Sequence, residues 1–141
     1  MSDELRELYQ EMILDHGKHP RNLRHPDDAN REAKGNNPLC GDRVTIDLTL
    51  AGGKVAKVGH LVRGCVLCEA SAALIAEKAV GQTPAALREA AAGIKPMLRE
   101  GAVPPWPELE IFTPVRAVRS RHDCVELPFR ALTAALDKAG A

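Results

Sequence analysis

Cys40, Cys65, Cys68 and Cys124 are the residues with the widest chemical range in this chain. As thiolates, cysteines bind metal ions and attack sulfur–sulfur bonds. Cys40 stands in the run Asn37-Pro38-Leu39-Cys40-Gly41-Asp42, where a thiol and a carboxylate two residues apart on a tight turn make half of a metal site. Zinc takes four ligands in a tetrahedron, and three thiolates with one carboxylate oxygen suit its borderline softness. Cys40, Asp42, Cys65 and Cys124 supply that set, assembled by tertiary folding because no two close pairs of the zinc-finger kind are present. Cys65-Val66-Leu67-Cys68 also has the spacing of a thioredoxin-type redox pair, although it follows a hairpin where such pairs belong in a βαβ unit. The plainer alternatives are a buried cysteine acting as a small hydrophobe and, for Asp42, a turn carboxylate bonded to its own backbone. Each cysteine adjoins a Gly, Asp or Glu at an expected element end, which favours chemistry for the group as a whole.

Two further residues bear on Cys124. His122 lies two positions before it, and in an extended approach that spacing puts both side chains on one face. Arg121 is a cation that could stabilise the Cys124 thiolate; its alternative is a solvated charge in the series Arg116, Arg119, Arg121.

The elements that must position these groups read as follows. Leu5, Leu8, Tyr9, Met12 and Ile13 recur at helical spacing behind Ser2, an N-cap, with Asp3 and Glu4 in the first turn. Residues Lys18 to Pro38 hold three prolines among polar residues and read as an irregular arm. Val44, Ile46, Leu48 and Leu50 alternate with polar residues, predicting a strand, with a turn at Ala51-Gly52-Gly53 and a second strand from Lys54 to about Val62. A helix of small residues is predicted over Cys65 to Val80, stopped by Gly81, with Cys65 and Cys68 on one face of its first turn. Thr83-Pro84 opens another helix to about Ala92. Pro96, Pro104, Pro105 and Pro107 then break the chain repeatedly. The last helix carries Val125, Phe129, Leu132 and Leu136 as an apolar stripe, with Pro128 tolerated in or near its first turn. Helix, hairpin and further helices predict an α+β fold, a small antiparallel sheet packed against helices, in one domain spanning 1–141.

Composition narrows the function. The chain has 141 residues, 45% hydrophobic and 27% charged, an ordinary globular balance. Its 19 basic and 19 acidic side chains cancel, so no net field draws it to nucleic acid or an anionic membrane. Tyr9, Trp106, Phe112 and Phe129 are its aromatics, which offer no stacking platform for single strands. The start lacks the basic and apolar regions of a secretory signal, and no apolar stretch is long enough to span a bilayer. A cytoplasmic location is therefore expected, and in that reducing compartment four cysteines read as ligands or reactive thiols rather than disulfides.

At this point the residues resemble the iron–sulfur cluster assembly family of IscU, SufU and the NifU N-terminal domain, over nearly the whole chain. Leu8-Tyr9, Ile13-Leu14-Asp15-His16 and Pro20-Arg21-Asn22 look like its opening helix and arm. Asn37 to Asp42 is similar to its first ligand motif, Gly64-Cys65 with Ala70-Ser71 to its second, and Arg121 to Cys124 to its third. The long stretch between Cys65 and Cys124 resembles the SufU branch. So does the third motif: IscU proteins carry histidine immediately before the last cysteine and a Leu-Pro-Pro-Val-Lys chaperone motif, whereas here Asp123 precedes Cys124 and that motif is absent. The resemblance implies a SufE/IscU-like α+β fold and zinc held by Cys40, Asp42, Cys65 and Cys124. It further implies that a SufS-like cysteine desulfurase passes persulfide sulfur to Cys40 or, as in IscU, to Cys124, with Arg121 close to the site. Downstream cluster assembly or acceptor proteins would be the other partners. Cys68 stands where other members have alanine or serine, as an additional ligand or thiol. The alternatives are a scaffold that assembles and transfers a [2Fe-2S] cluster, with iron in place of zinc, and a structural zinc-binding domain.

Overall fold

The computed structural model describes residues 31–37, 42–63 and 65–138, with side chains from Arg43 onward. The helix predicted after Ser2 lies outside these residues, as do Cys40 and Gly64.

Three strands form an antiparallel sheet in the order β1-β2-β3: β1 is Arg31–Asn37, β2 Asp42–Ala51 and β3 Lys54–Arg63. The β2–β3 hairpin is the one the alternation predicts. Its two loop residues are Gly52 and Gly53, both at positive φ (62° and 77°), the backbone that a type I′ turn demands and side chains resist. Val44, Ile46 and Leu48 are fully buried, and their β3 partners Val62, His60 and Val58 are buried with them. Thr45 and Asp47, on the other face of β2, are buried as well.

β1 corrects the expectation of an irregular arm from Lys18 to Pro38. Arg31-Glu32-Ala33-Lys34-Gly35-Asn36-Asn37 has no apolar alternation, yet it pairs with β2 in continuous register from Arg31↔Leu48 to Asn37↔Asp42. Backbone groups need no apolar side chains to complete a ladder, and the open edge of a well-patterned β2 supplies the partners.

The helices follow. α1 is Val66–Lys78, α2 Pro84–Ala92, α3 Ile94–Glu100 and α4 His122–Lys138, with 3₁₀ segments at Pro107–Ala117 and Arg119–Arg121 between α3 and α4. Thr83 caps α2, its hydroxyl accepting from the Ala86 amide at 3.2 Å, and Pro84 occupies the first helical position, as predicted. The prolines that follow break less than expected: Pro96 lies in the first turn of α3 and Pro107 starts a 3₁₀ segment, places where a missing amide N–H costs little. α4 packs on β1 and β2, and α1 packs on β3 and α4. Val125, Phe129, Leu132 and Leu136 of α4 are all buried, so the predicted stripe is the face it turns to the core. No helix among the described residues is long and apolar enough to cross a membrane.

Candidate metal and sulfur site

Three thiols meet where α1 and α4 begin. Cys65 is the N-cap of α1, with extended backbone (φ −78°, ψ 169°), and Cys68 lies in the first turn, on the same face. Cys124 is in the first turn of α4. The three sulfur atoms all lie within 4.8 Å of one another, and no disulfide joins them. Cys68 and Cys124 are buried, whereas Cys65 is half-buried and is the thiol of the three that reaches the surface.

Proline places one of these groups. Pro128 lies in the second turn of α4 rather than in or near its first, which corrects the sequence expectation. It has no amide N–H, so the carbonyl four residues earlier, that of Cys124, receives no helical hydrogen bond. The Cys68 thiol donates to this carbonyl at 3.1 Å. One helical turn further along α1, the fully buried Ser71 hydroxyl donates to the next carbonyl, Val125, at 2.8 Å. Two side chains of α1 thus grip the backbone of α4 beside the thiols. The sequence named Ser71 as part of the second family motif but gave it no role; the signal for one was its i+3 spacing from Cys68.

The neighbouring Cys124 thiol, and next the Cys68 thiol, shift the Cys65 pKa far below the ordinary thiol range; burial opposes them, and the backbone amides of Cys68 and Leu67 add to them. This is the chemistry of a helix N-terminus, whose unpaired amides favour negative charge.

The donor set fits a thiophilic metal ion. With Zn–S bonds of about 2.3 Å, a tetrahedron has sulfur–sulfur edges of roughly 3.8 Å, inside the observed limit of 4.8 Å. Cys65, Cys68 and Cys124 could bind a metal through three sulfurs, leaving a position for a fourth donor.

Of the predicted site residues, the structure brings Cys65 and Cys124 together and adds Cys68 to them. Cys40 lies outside the described residues. Asp42 is the first residue of β2, paired with Asn37. The neighbouring register Arg43↔Arg63 sets this at the end of the sheet where β3 passes toward Cys65. Arg121 is exposed, closing the second 3₁₀ segment. His122 is a correction. The backbone there is helical, so two residues of separation turn its side chain well away from that of Cys124. Its Nε2 lies 3.1 Å from both the Val115 and Arg116 carbonyls, anchoring the start of α4 to the 3₁₀ segment. His122→Ala should therefore destabilise the fold by about 1–3 kcal/mol in denaturant unfolding without removing a metal donor from the thiol cluster. Asp123 faces outward to Arg130 at 3.3 Å.

Residues 8–104 match the model of the NifU-like N-terminal domain. The chain belongs to that family. It is the family of the IscU and SufU scaffolds of iron–sulfur cluster assembly. Among its relatives, the iron–sulfur cluster assembly scaffold protein IscU of Thermotoga maritima is 35% identical over 75 residues, covering 53% of each chain. The zinc-dependent sulfurtransferase SufU of Bacillus subtilis is also 35% identical over 75 residues, 53% of this chain and 50% of that one. These matches span about half the length of either relative. In solved structures the likeness extends further. The NifU-like N-terminal protein of Brucella abortus superposes with a TM-score of 0.87 at 26% identity, covering 98% of both chains. A putative SUF-system scaffold protein of Fervidobacterium islandicum gives 0.81 at 26% identity, covering 92% of this chain and 97% of that one. The α+β fold predicted from the sequence is the fold of these proteins.

Proposed function

We propose that this chain is a zinc-dependent sulfur carrier of the SufU type, which accepts persulfide sulfur from a cysteine desulfurase and supplies iron–sulfur cluster assembly in the cytoplasm. The observation that carries this reading is the three-thiol cluster at the start of α1 and α4, in a chain of the NifU-like N-terminal family. Zinc would be held by Cys40, Asp42, Cys65 and Cys124, and when bound it keeps its thiols deprotonated and shielded from oxidation. The β1–β2 pairing supports this set, because Asn37 and Asp42, which flank Cys40 in the sequence, pair at the sheet end that leads to Cys65.

In the transfer, the Cys40 thiolate attacks the outer sulfur of the desulfurase persulfide. The sulfur–sulfur bond of the donor breaks, its cysteine leaves as the thiolate, and a persulfide forms on Cys40. Attack needs an accessible thiolate, and Arg121, exposed beside the start of α4, would attract the anionic persulfide. Sulfur uptake from a desulfurase loaded with radiolabelled cysteine tests the assignment. Cys40→Ala should take up little label; uptake equal to wild type would show that another thiol accepts the sulfur.

The second reading is a scaffold for a [2Fe-2S] cluster on Cys40, Cys65 and Cys124 with Asp42 as oxygen ligand. It is favoured by the scaffold relatives and by a third described thiol, Cys68, within reach of the others. Anaerobic elemental analysis separates the two: stoichiometric zinc without visible absorption supports the carrier, and iron with cluster absorption transferable to an apo-acceptor supports the scaffold.

A further inference from the structure

We infer that Cys68 is an exchange ligand: it takes the place of Cys40 on the metal when Cys40 leaves to carry sulfur, an inference that rests on the sulfur-carrier reading above. In that reading Cys40 has two tasks that exclude each other, since a sulfur bound to zinc is shielded and a sulfur that attacks the donor must be free. Its departure leaves two thiolates and one carboxylate for an ion that takes four ligands. This chain holds a third sulfur beside those two.

Among the described residues, the donors close enough to share a metal ion are Cys65, Cys68 and Cys124, whose sulfurs all lie within 4.8 Å of one another. Cys65 and Cys68 stand on one face at the start of α1, so rotation of the Cys68 side chain closes the distances among the three sulfurs without moving α1 against α4. The other candidate donors beside Cys124 in the sequence are committed elsewhere: His122 Nε2 lies 3.1 Å from the Val115 and Arg116 carbonyls, and Asp123 faces Arg130. Burial decides what the extra thiol is for. Cys68 is 0% exposed, which closes it to a persulfide carried by another protein, because sulfur exchange needs an accessible thiol. Ligation of an ion already held by its neighbours needs no such access.

While Cys40 is a ligand, the Cys68 thiol rests with its hydrogen on the Cys124 carbonyl at 3.1 Å, a carbonyl that Pro128 leaves without a helical partner. In the exchange, Cys40 departs as a thiolate and the Cys68 sulfur takes its position, passing its proton to water as ligation by a thiol requires. One thiolate replaces another, no electron moves, and the charge of the ligand set is unchanged. Cys65, Cys68, Cys124 and Asp42 then form the donor set while Cys40 carries the sulfur, so the chain keeps its zinc through each transfer. When Cys40 has delivered its sulfur, the reverse exchange returns the Cys68 thiol to the carbonyl.

The test uses the purified chain and its Cys40→Ala, Cys68→Ser and doubly substituted forms, with zinc affinity measured by chelator competition. Cys68→Ser, which keeps a hydrogen-bond donor for the Cys124 carbonyl, should bind zinc as wild type does. In the Cys40→Ala background the same substitution should weaken zinc binding at least about tenfold, the coupling expected of two residues that share one position. Cobalt(II) in place of zinc counts the sulfurs: thiolate charge-transfer absorbance should be equal in wild type and Cys40→Ala and about a third lower in the double variant. Matching thermal unfolding of the metal-free chains excludes a folding defect as the cause. Equal zinc affinity of the Cys40→Ala chain with and without Cys68 overturns the inference, as does a Cys68→Ser defect equally large when Cys40 is present. Both results leave the carrier reading intact, because uptake of labelled sulfur judges it separately. Uptake by Cys40→Ala equal to wild type overturns the carrier role of Cys40 and the exchange with it.

Discussion

Replacing Cys65 with serine should lower the metal bound per chain at least about tenfold while leaving the metal-free fold as stable as before, or slightly more so. The two halves of this result have separate causes. The neighbouring Cys124 and Cys68 thiols lower the Cys65 pKa, which favours the thiolate, the form in which sulfur binds zinc or iron. A serine hydroxyl in its place stays protonated and is a hard donor poorly matched to either ion. The fold tolerates the change because Cys65 is an N-cap and only half-buried, and serine is among the preferred N-cap residues, worth up to about 1 kcal/mol over a poor cap. Elemental analysis after gel filtration measures the first half, and denaturant unfolding in a chelator measures the second. Unchanged metal would remove Cys65 from the ligand set. A loss of metal accompanied by a matching loss of stability would mean that the substitution damages the site through the fold.

What the sequence discloses here depends on where the information sits. The β2–β3 hairpin was legible because Val44, Ile46 and Leu48 are buried on one face and two adjacent glycines mark the turn. β1 was not, since its strand character lies in the backbone partners that β2 offers and Arg31–Asn37 carries no apolar pattern of its own. The pairing of Cys65 with Cys124 followed from chemistry and family likeness, and the structure supplies the closeness that sequence distance concealed. Cys68 stood out as an extra thiol, but its tie to the Cys124 carbonyl depends on Pro128 falling in the second turn of α4. That location depends in turn on where the helix begins, and a start at His122 follows from 3₁₀ segments that lead directly into it. Expecting a later, extended approach misplaced both Pro128 and the His122 side chain.

The largest stability effect should come from Phe129→Ala, a loss of about 3–5 kcal/mol. Few aromatic residues serve this core: the chain has one tryptophan, one tyrosine and two phenylalanines. Trp106 and Phe129 meet with ring centroids 5.5 Å apart and planes inclined at 47°, a tilted contact that adds roughly 0.5–1.5 kcal/mol beyond buried area. Phe129 is 2% exposed, so truncation leaves a cavity that rigid neighbours fill incompletely. Domains of this size are stable by about 5–15 kcal/mol, which makes the expected loss a large share of the total and a fall in Tm of roughly 10–20 °C. The consequence reaches the thiols through α4, because Phe129 and Cys124 belong to the same helix and the Phe129 ring joins that helix to the chain before the 3₁₀ segment at Pro107. Phe129→Leu keeps most of the volume and should recover more than half of the stability. Unfolding followed by Trp106 fluorescence reads both variants, since the ring packed against the indole is the one removed. If Phe129→Ala unfolded within about 1 kcal/mol of wild type, α4 would owe its position to its contacts with the sheet and α1 alone, and the Ser71 and Cys68 hydrogen bonds would become the next substitutions to measure.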